Sequence, residues 1–87
     1  MVYNCTIEKV EGLFWVQFPD MTNIQTYGNT QEKALAMTKE ALDDCLEADI
    51  SQGNTIPKPS FKKGHPITVA NHIAVAIQLR ELNVQIG

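Results

Sequence analysis

Asp20 is the residue of this sequence with the strongest claim to a chemical role, because it lies in the stretch FPDMTN, residues 18–23, after a proline that ends a strand. A carboxylate there could serve metal-dependent phosphodiester cleavage, which needs several carboxylates that converge on two ions about 4 Å apart. The preceding strands supply only Glu8 and Glu11. We therefore expect a turn aspartate that hydrogen-bonds nearby backbone, with partner contact and nuclease catalysis as the alternatives.

A second group of carboxylates lies on the helix predicted for residues 30–51. Two pairs of like charges stand four residues apart there, which slightly destabilises a helix. Such a patch is usually a solvated surface, but it is also what electrostatic steering toward a basic partner requires. We treat it as a candidate partner-binding face. Its members are Glu40, Asp43, Asp44 and Glu47.

Trp15 is the only tryptophan, and it is a third candidate for partner contact. The alternation of strand 13–18 places it on the face opposite Phe14, Val16 and Phe18. Aromatic residues are enriched in protein interfaces, so Trp15 belongs either to such an interface or to a second apolar layer. One helix covers one sheet face, so Leu13 and Trp15 need another cover, which a C-terminal helix or a second copy of the chain could provide.

The cysteine and histidine spacings do not match those of metal sites. Cys5 and Cys45 form no CxxC or Cys/His pattern, and His65 and His72 have no acidic or cysteine neighbour at ligand spacing. We assign no metal and no cofactor. The sequence also lacks a Ser, His and Asp arrangement, a Walker loop and a dinucleotide fingerprint, so covalent and nucleotide chemistry have no support.

One basic run lies in the second half of the chain. It lacks interleaved aromatic residues, so we interpret it as a solvated connector in preference to a nucleic-acid site. Residues 1–57 carry nine acidic residues and three lysines, a net charge of −6, whereas residues 58–87 carry a net charge of +3. The acidic part suits a basic protein better than a phosphate backbone. The basic run consists of Lys58, Lys62, Lys63 and His65.

Length and composition point to one small folded domain, residues 1–87. The 87 residues are 44% apolar and 20% charged, which are ordinary globular values. A core of this size is thin, so we expect stabilisation as a homodimer or homotetramer. The N-terminus does not resemble a secretory signal, and no run of 18 apolar residues occurs, so we expect a soluble, cytoplasmic protein.

The strands are predicted from alternation and turn residues. Residues 2–10 alternate, Glu11 and Gly12 form a hairpin turn, and residues 13–18 are rich in aromatic and β-branched side chains. A third strand is expected at 24–28, and a fourth at 66–70. The sheet should be mainly antiparallel, with three to four strands.

Two helices complete the predicted order β-β-β-α-β followed by a short helix. The long helix begins after Thr30 or Asn29 as the N-cap, runs to about Ser51 and stops at Gly53. Residues 53–65 form a proline- and lysine-rich connector. The tail is ambiguous between strand and helix, and we favour a helix over 71–82. The fold class is α+β. The apolar stripe of the long helix consists of Ala34, Leu35, Thr38, Ala41, Leu42, Cys45 and Leu46.

With the elements in this order, the chain resembles the HicB-like antitoxin family. Gly12 and Phe14 of EGLFWVQFPD carry the resemblance, with the Phe-Pro-Asp at 18–20, TYGNTQEKAL at 26–35 and IPKPS at 56–60. Each motif alone is unspecific, and their order and spacing make the match. It covers roughly residues 3–60.

The resemblance implies a partially degenerate RNase H-like core and a non-enzymatic antitoxin. Members of the family bind and neutralise HicA, a small basic toxin that cleaves RNA. Many members continue into a helix-turn-helix or ribbon-helix-helix segment, whereas this sequence ends at Gly87, so we do not expect this chain to bind DNA directly. It is either a short member or part of a longer protein. The alternative functions are a residual metal-dependent nuclease and an oligomeric regulatory module without a toxin.

Overall fold

The computed structural model of the chain describes the backbone of residues 1–86 and the side chains of residues 1–82; Gly87, the last residue of the predicted domain, lies outside them. Over residues 1–86 the fold is α+β, as predicted, with four strands and two helices. The elements are β1 (Val2–Val10), β2 (Leu13–Phe18), β3 (Met21–Gly28), α1 (Gln31–Gln52), β4 (His65–Thr68) and α2 (Asn71–Ile86).

The four strands form one antiparallel sheet in the order β3-β2-β1-β4. β1 and β2 are joined by the predicted two-residue turn, in which Glu11 and Gly12 have φ angles of 51° and 82°. Two consecutive left-handed residues match the twist of a tight hairpin. The predicted bounds of the first two strands are confirmed.

Capping residues define both ends of α1. The hydroxyl of Thr30 accepts a hydrogen bond from the N–H of Lys33 at 3.1 Å, so Thr30 is the N-cap, and Glu32 lies in the first turn. Gly53 ends the helix in the left-handed conformation, with φ 73°. Between these ends, the predicted apolar stripe is confirmed as the packing face, with Ala34, Thr38, Leu42 and Leu46 buried.

The core lies between the sheet and the two helices. β1 and β2 contribute Tyr3, Cys5, Val16 and Phe18, with the rings of Tyr3 and Phe18 edge to face. The buried hydroxyl of Thr38 bonds to the carbonyl of Ala34 at 2.7 Å and to Thr26 at 2.5 Å, so a polar group is accommodated. α2 packs against α1 and adds Ile73 and Ile77.

Three predicted bounds differ from the structure. β3 begins at Met21 and not at residue 24, because the buried Met21 pairs with Phe18 across a register shift. β4 covers His65–Thr68 and not 66–70, since Ala70 already accepts the first helical hydrogen bonds of α2. α2 is a helix as expected but extends through Ile86. Within the described residues, neither helix is long and apolar enough to cross a membrane.

Candidate functional site

Asp20 holds the connector to the sheet. It lies in the turn between β2 and β3, and its carboxylate accepts hydrogen bonds from the backbone N–H of Ser60 at 2.9 Å, the hydroxyl of Ser60 at 2.6 Å and the N–H of Phe61 at 3.0 Å. These donors, the Ser60 hydroxyl first and the Phe61 N–H next, lower the pKa of Asp20 from its ordinary 3.8. The carboxylate therefore acts as a clamp for the segment IPKPSF.

The expectation that Asp20 bonds nearby backbone was wrong in one respect, because its partners lie 40 and 41 positions along the chain. Both oxygens of its carboxylate accept hydrogen bonds from these donors. Glu11 lies in the β1–β2 turn, at the opposite end of β2 from Asp20. Among the side chains of residues 1–82, no three His, Cys, Asp or Glu groups lie close enough together to hold a metal ion.

Tyr3 provides a second attachment for the connector. Tyr3 is fully buried, and its phenol donates a hydrogen bond to the carbonyl of Pro57. Burial, and then the negative charges of Asp20, Glu81 and Asp49, raise the pKa of Tyr3 to about 12. The connector is therefore fixed from both sides, and it is an ordered part of the fold.

Three of the four helix carboxylates form one exposed stripe. Glu40, Asp44 and Glu47 are spaced four and three residues apart, so they lie on one side of α1, and all three are exposed. Met37 lies one turn before Glu40 on the same side, and about half of its side chain is exposed (51%). We call Met37, Glu40, Asp44 and Glu47 the acidic stripe.

Asp43 does not belong to this stripe, which corrects its predicted place on the outer face. Its side chain is only 18% exposed; one oxygen pairs with the Lys39 ammonium at 2.6 Å and the other accepts the N–H of Ala70 at 2.9 Å. Ala70 is the residue from which α2 starts. Asp43 therefore joins α1 to the beginning of α2.

Trp15 lies on the sheet face opposite Val16 and the helices, as predicted. It is half-buried against Tyr27 of β3, with ring centroids 5.1 Å apart and an angle of 35° between the planes. Tyr27 is 53% exposed. Because α2 packs against α1, it does not supply the cover that one hypothesis expected for Trp15. The aromatic pair and the acidic stripe lie on opposite faces and cannot form one continuous site.

Met37, Tyr27 and Ser60 were not among the sequence candidates. The 3–4 spacing of Met37 with the acids could have identified the first. The pairing of Trp15 with Tyr27 required the strand register, and the partner of Asp20 required the path of the connector. The basic residues of the connector are divided between two places. Lys62 is close enough to Asp20 to help lower its pKa, whereas Lys63 and His65 lie beside β1.

The family comparison agrees with this geometry. A family model described as HicB_like antitoxin of bacterial toxin-antitoxin system matches residues 3–80. Two curated relatives come from Photorhabdus laumondii. Antitoxin HicB 1 is 40% identical over 60 residues, covering 68% of this chain and 39% of its own length, and Antitoxin HicB 2 is 33% identical over 85 residues, covering 98% and 61%.

The sequence thus spans less than two thirds of either relative. Among solved structures, the N-terminal domain of Burkholderia Pseudomallei antitoxin HicB superposes with a TM-score of 0.61 at 21% identity, over 85% of this chain and 80% of that one. At that identity, the likeness establishes the fold.

Proposed function

Because the chain belongs to the HicB-like antitoxin family, we propose that it is a non-catalytic cytoplasmic antitoxin that neutralises a small, basic, RNA-cleaving toxin of the HicA type by direct contact. The observation that carries the proposal is the family match over residues 3–80, a range that contains the buried apolar core from Tyr3 to Ile77. The carboxylate of Asp20 is hydrogen-bonded to Ser60 and Phe61 of the connector, which supports a binding role for the chain over a catalytic one.

The acidic stripe is the surface that best suits such a toxin. A protein that acts on RNA needs a basic surface for phosphate, and three carboxylates on one helix side are complementary to that surface. Exposed Met37 adds a flexible apolar contact beside them, a feature common in adaptable binding surfaces. The stripe runs on the solvent side of α1, so a toxin could dock there without displacing any hydrogen bond described above.

The test is to purify a small basic protein encoded beside this gene and to measure its cleavage of RNA with and without the chain. We expect one equivalent of the chain to suppress cleavage. Full cleavage at equal and at tenfold excess would reject the antitoxin role. A parallel assay of the chain alone with Mg²⁺ or Mn²⁺ addresses the nuclease alternative, which would be supported only by cleavage that is lost in Asp20→Ala.

We also propose that the chain self-associates as a homodimer or homotetramer. The support is the thin core of 87 residues and an apolar row left exposed on α2, with Val75, Leu79 and Leu82 at i, i+4 and i+7. Light scattering should give a mass above 9.7 kDa that falls to that value in Leu79→Glu. A monomer at 100 μM in the unmodified chain would contradict the proposal.

A further inference from the structure

In the part of the chain that the structure describes, each residue of β1 is paired with a neighbouring strand on one side only. β2 accompanies Thr6–Val10, whereas β4 pairs with Val2–Cys5 and then diverges. Within residues 1–86, no other segment forms backbone hydrogen bonds to the far side of Thr6–Val10. The sheet therefore has an internal step, at which five residues of β1 form an open edge.

The alternation of an antiparallel ladder identifies the groups on this edge. The N–H of Val69 donates to the carbonyl of Met1 at 2.9 Å, so odd-numbered residues of β1 direct their backbone groups toward β4. Pro66, which has no N–H, lies opposite an even-numbered residue, as this pattern requires. Continuing the alternation, Ile7 and Lys9 each present an N–H and a carbonyl at the open edge.

A groove of about 430 Å³ lies beside the first residues of this edge. Its apolar part includes half-buried Ile7 and Phe61, and its basic part includes Lys63 and His65. Gly64 also lines the groove. It has φ +91° and lies so close to β1 that an added Cβ would meet the Cys5 carbonyl oxygen at 2.3 Å. Lys9 continues the basic character along the strand.

We propose that the Thr6–Val10 edge and its groove form a strand-addition site for an extended segment of a partner polypeptide in which apolar residues alternate with carboxylates. Backbone hydrogen bonds to Ile7 and Lys9 supply the attachment, as in other cases of strand addition to a sheet edge. The lysines select negative charge, and the groove receives alternate side chains. This site is separate from the acidic stripe and does not depend on the antitoxin role.

A second copy of β1 fits this edge poorly, which favours a different polypeptide. Antiparallel pairing about a two-fold axis allows three registers that keep the hydrogen-bonding residues opposite each other. One places Glu8 opposite Glu8 and another Lys9 opposite Lys9, and like charges directly opposite are destabilising. The third, centred on Ile7, brings a second strand to Cys5, which is already paired with His65.

The experiment uses the blocked heptapeptide SVEVEVS, with SVKVKVS as the charge control, titrated into the ¹⁵N-labelled full chain. We expect SVEVEVS to shift the amide signals of Ile7 and Lys9 and to slow their hydrogen exchange, with affinity at least tenfold above that of SVKVKVS. Absence of binding by SVEVEVS, or equal binding of both peptides, would overturn the proposal.

Two variants separate backbone pairing from charge. Lys9→Pro removes an outward N–H but no hydrogen bond to β2, whereas Lys9→Ala keeps the N–H, and both lose the Lys9 ammonium that lies 5.4 Å from the Phe14 ring. Lys9→Pro should weaken binding at least fivefold relative to Lys9→Ala. A peptide N-methylated at its valines should fail on the unmodified chain, a test that needs no variant to fold. Undiminished binding by the methylated peptide would also overturn the proposal.

Discussion

The Asp20 carboxylate and Ser60 are 40 positions apart in sequence, yet both the N–H and the hydroxyl of Ser60 donate to it, at 2.9 and 2.6 Å. This pair attaches the connector to the turn between β2 and β3. Since β4 follows the connector directly, the clamp determines where the chain enters the sheet. A residue that is prominent in the sequence for its possible chemistry is thus an organiser of the fold.

Replacing Asp20 with Ala should lower the urea midpoint at pH 7 and increase proteolytic cutting within residues 53–65, with Asp20→Asn intermediate because it keeps one acceptor oxygen. The folded-state pKa of Asp20 is lowered, so its contribution is complete above about pH 4 and is lost as the pH falls through the folded value. The difference between wild type and Asp20→Ala should therefore shrink toward pH 2. A difference that stays constant from pH 7 to pH 2 would contradict this role.

Asp43 and Asp44 provide a matched pair of neighbouring acids. Asp43→Asn should destabilise the fold by about 1 kcal/mol. The substitution weakens the hydrogen bond from the Ala70 N–H and removes the ion pair with Lys39. Asp44→Asn should change stability by less than about 0.5 kcal/mol, as expected for an exposed position. Urea denaturation of both variants measures the two changes in the free energy of unfolding. Equal changes would show that the contact of Asp43 with Ala70 does not contribute to stability.

Tyr3→Phe should cost about 1 kcal/mol, because the Pro57 carbonyl loses its donor. The raised pKa of Tyr3 means that the fold favours the neutral phenol, so this contribution is complete below about pH 10 and is lost as the pH rises through about 12. Absorbance at 295 nm, taken as the difference between wild type and Tyr3→Phe, should show a midpoint close to 12. A difference midpoint near 10 would be incompatible with this burial.

Gly64 and Gly12 both have positive φ, at 91° and 82°, but only Gly64 has a close neighbour. Gly12→Ala should cost about 1 kcal/mol for backbone strain alone. Gly64→Ala should cost more and should broaden the NMR signals of β4, because its Cβ would overlap the Cys5 carbonyl. Comparing the two denaturation midpoints isolates the close approach, and equal midpoints would show that the connector moves aside freely.

Neutralising the acidic stripe with Glu40→Gln, Asp44→Asn and Glu47→Gln should slow association with a basic toxin about tenfold at low salt, with little effect at 0.5 M salt, where screening removes steering. Asp43 is left unchanged because its role is structural. Glu8→Gln, on the opposite side of the domain, is the control. Stopped-flow rates that do not depend on the stripe would direct attention to the Trp15 and Tyr27 face instead.

Much of the fold follows from local signals in the sequence. Alternation and a two-residue turn predict the first two strands to the residue, and Thr30 and Gly53 predict the ends of α1, because capping and left-handed turns depend on neighbouring residues. The start of β3 was missed, since the register shift near Phe18 arises from packing of Met21 and not from alternation.

The candidate site residues also divide into those that the sequence predicts and those that only the structure identifies. The residue types of the sequence determined an acidic helix side, an aromatic strand and the motifs of a family. Only the tertiary structure decided that Asp43 faces α2 and that Asp20 binds Ser60. It also decided that the pairing of β4 with β1 ends at Cys5, which leaves the outward backbone groups of Ile7 and Lys9 without a strand partner within residues 1–86. Each of these depends on where distant segments meet, and that is determined by packing of the whole core, which no local pattern encodes.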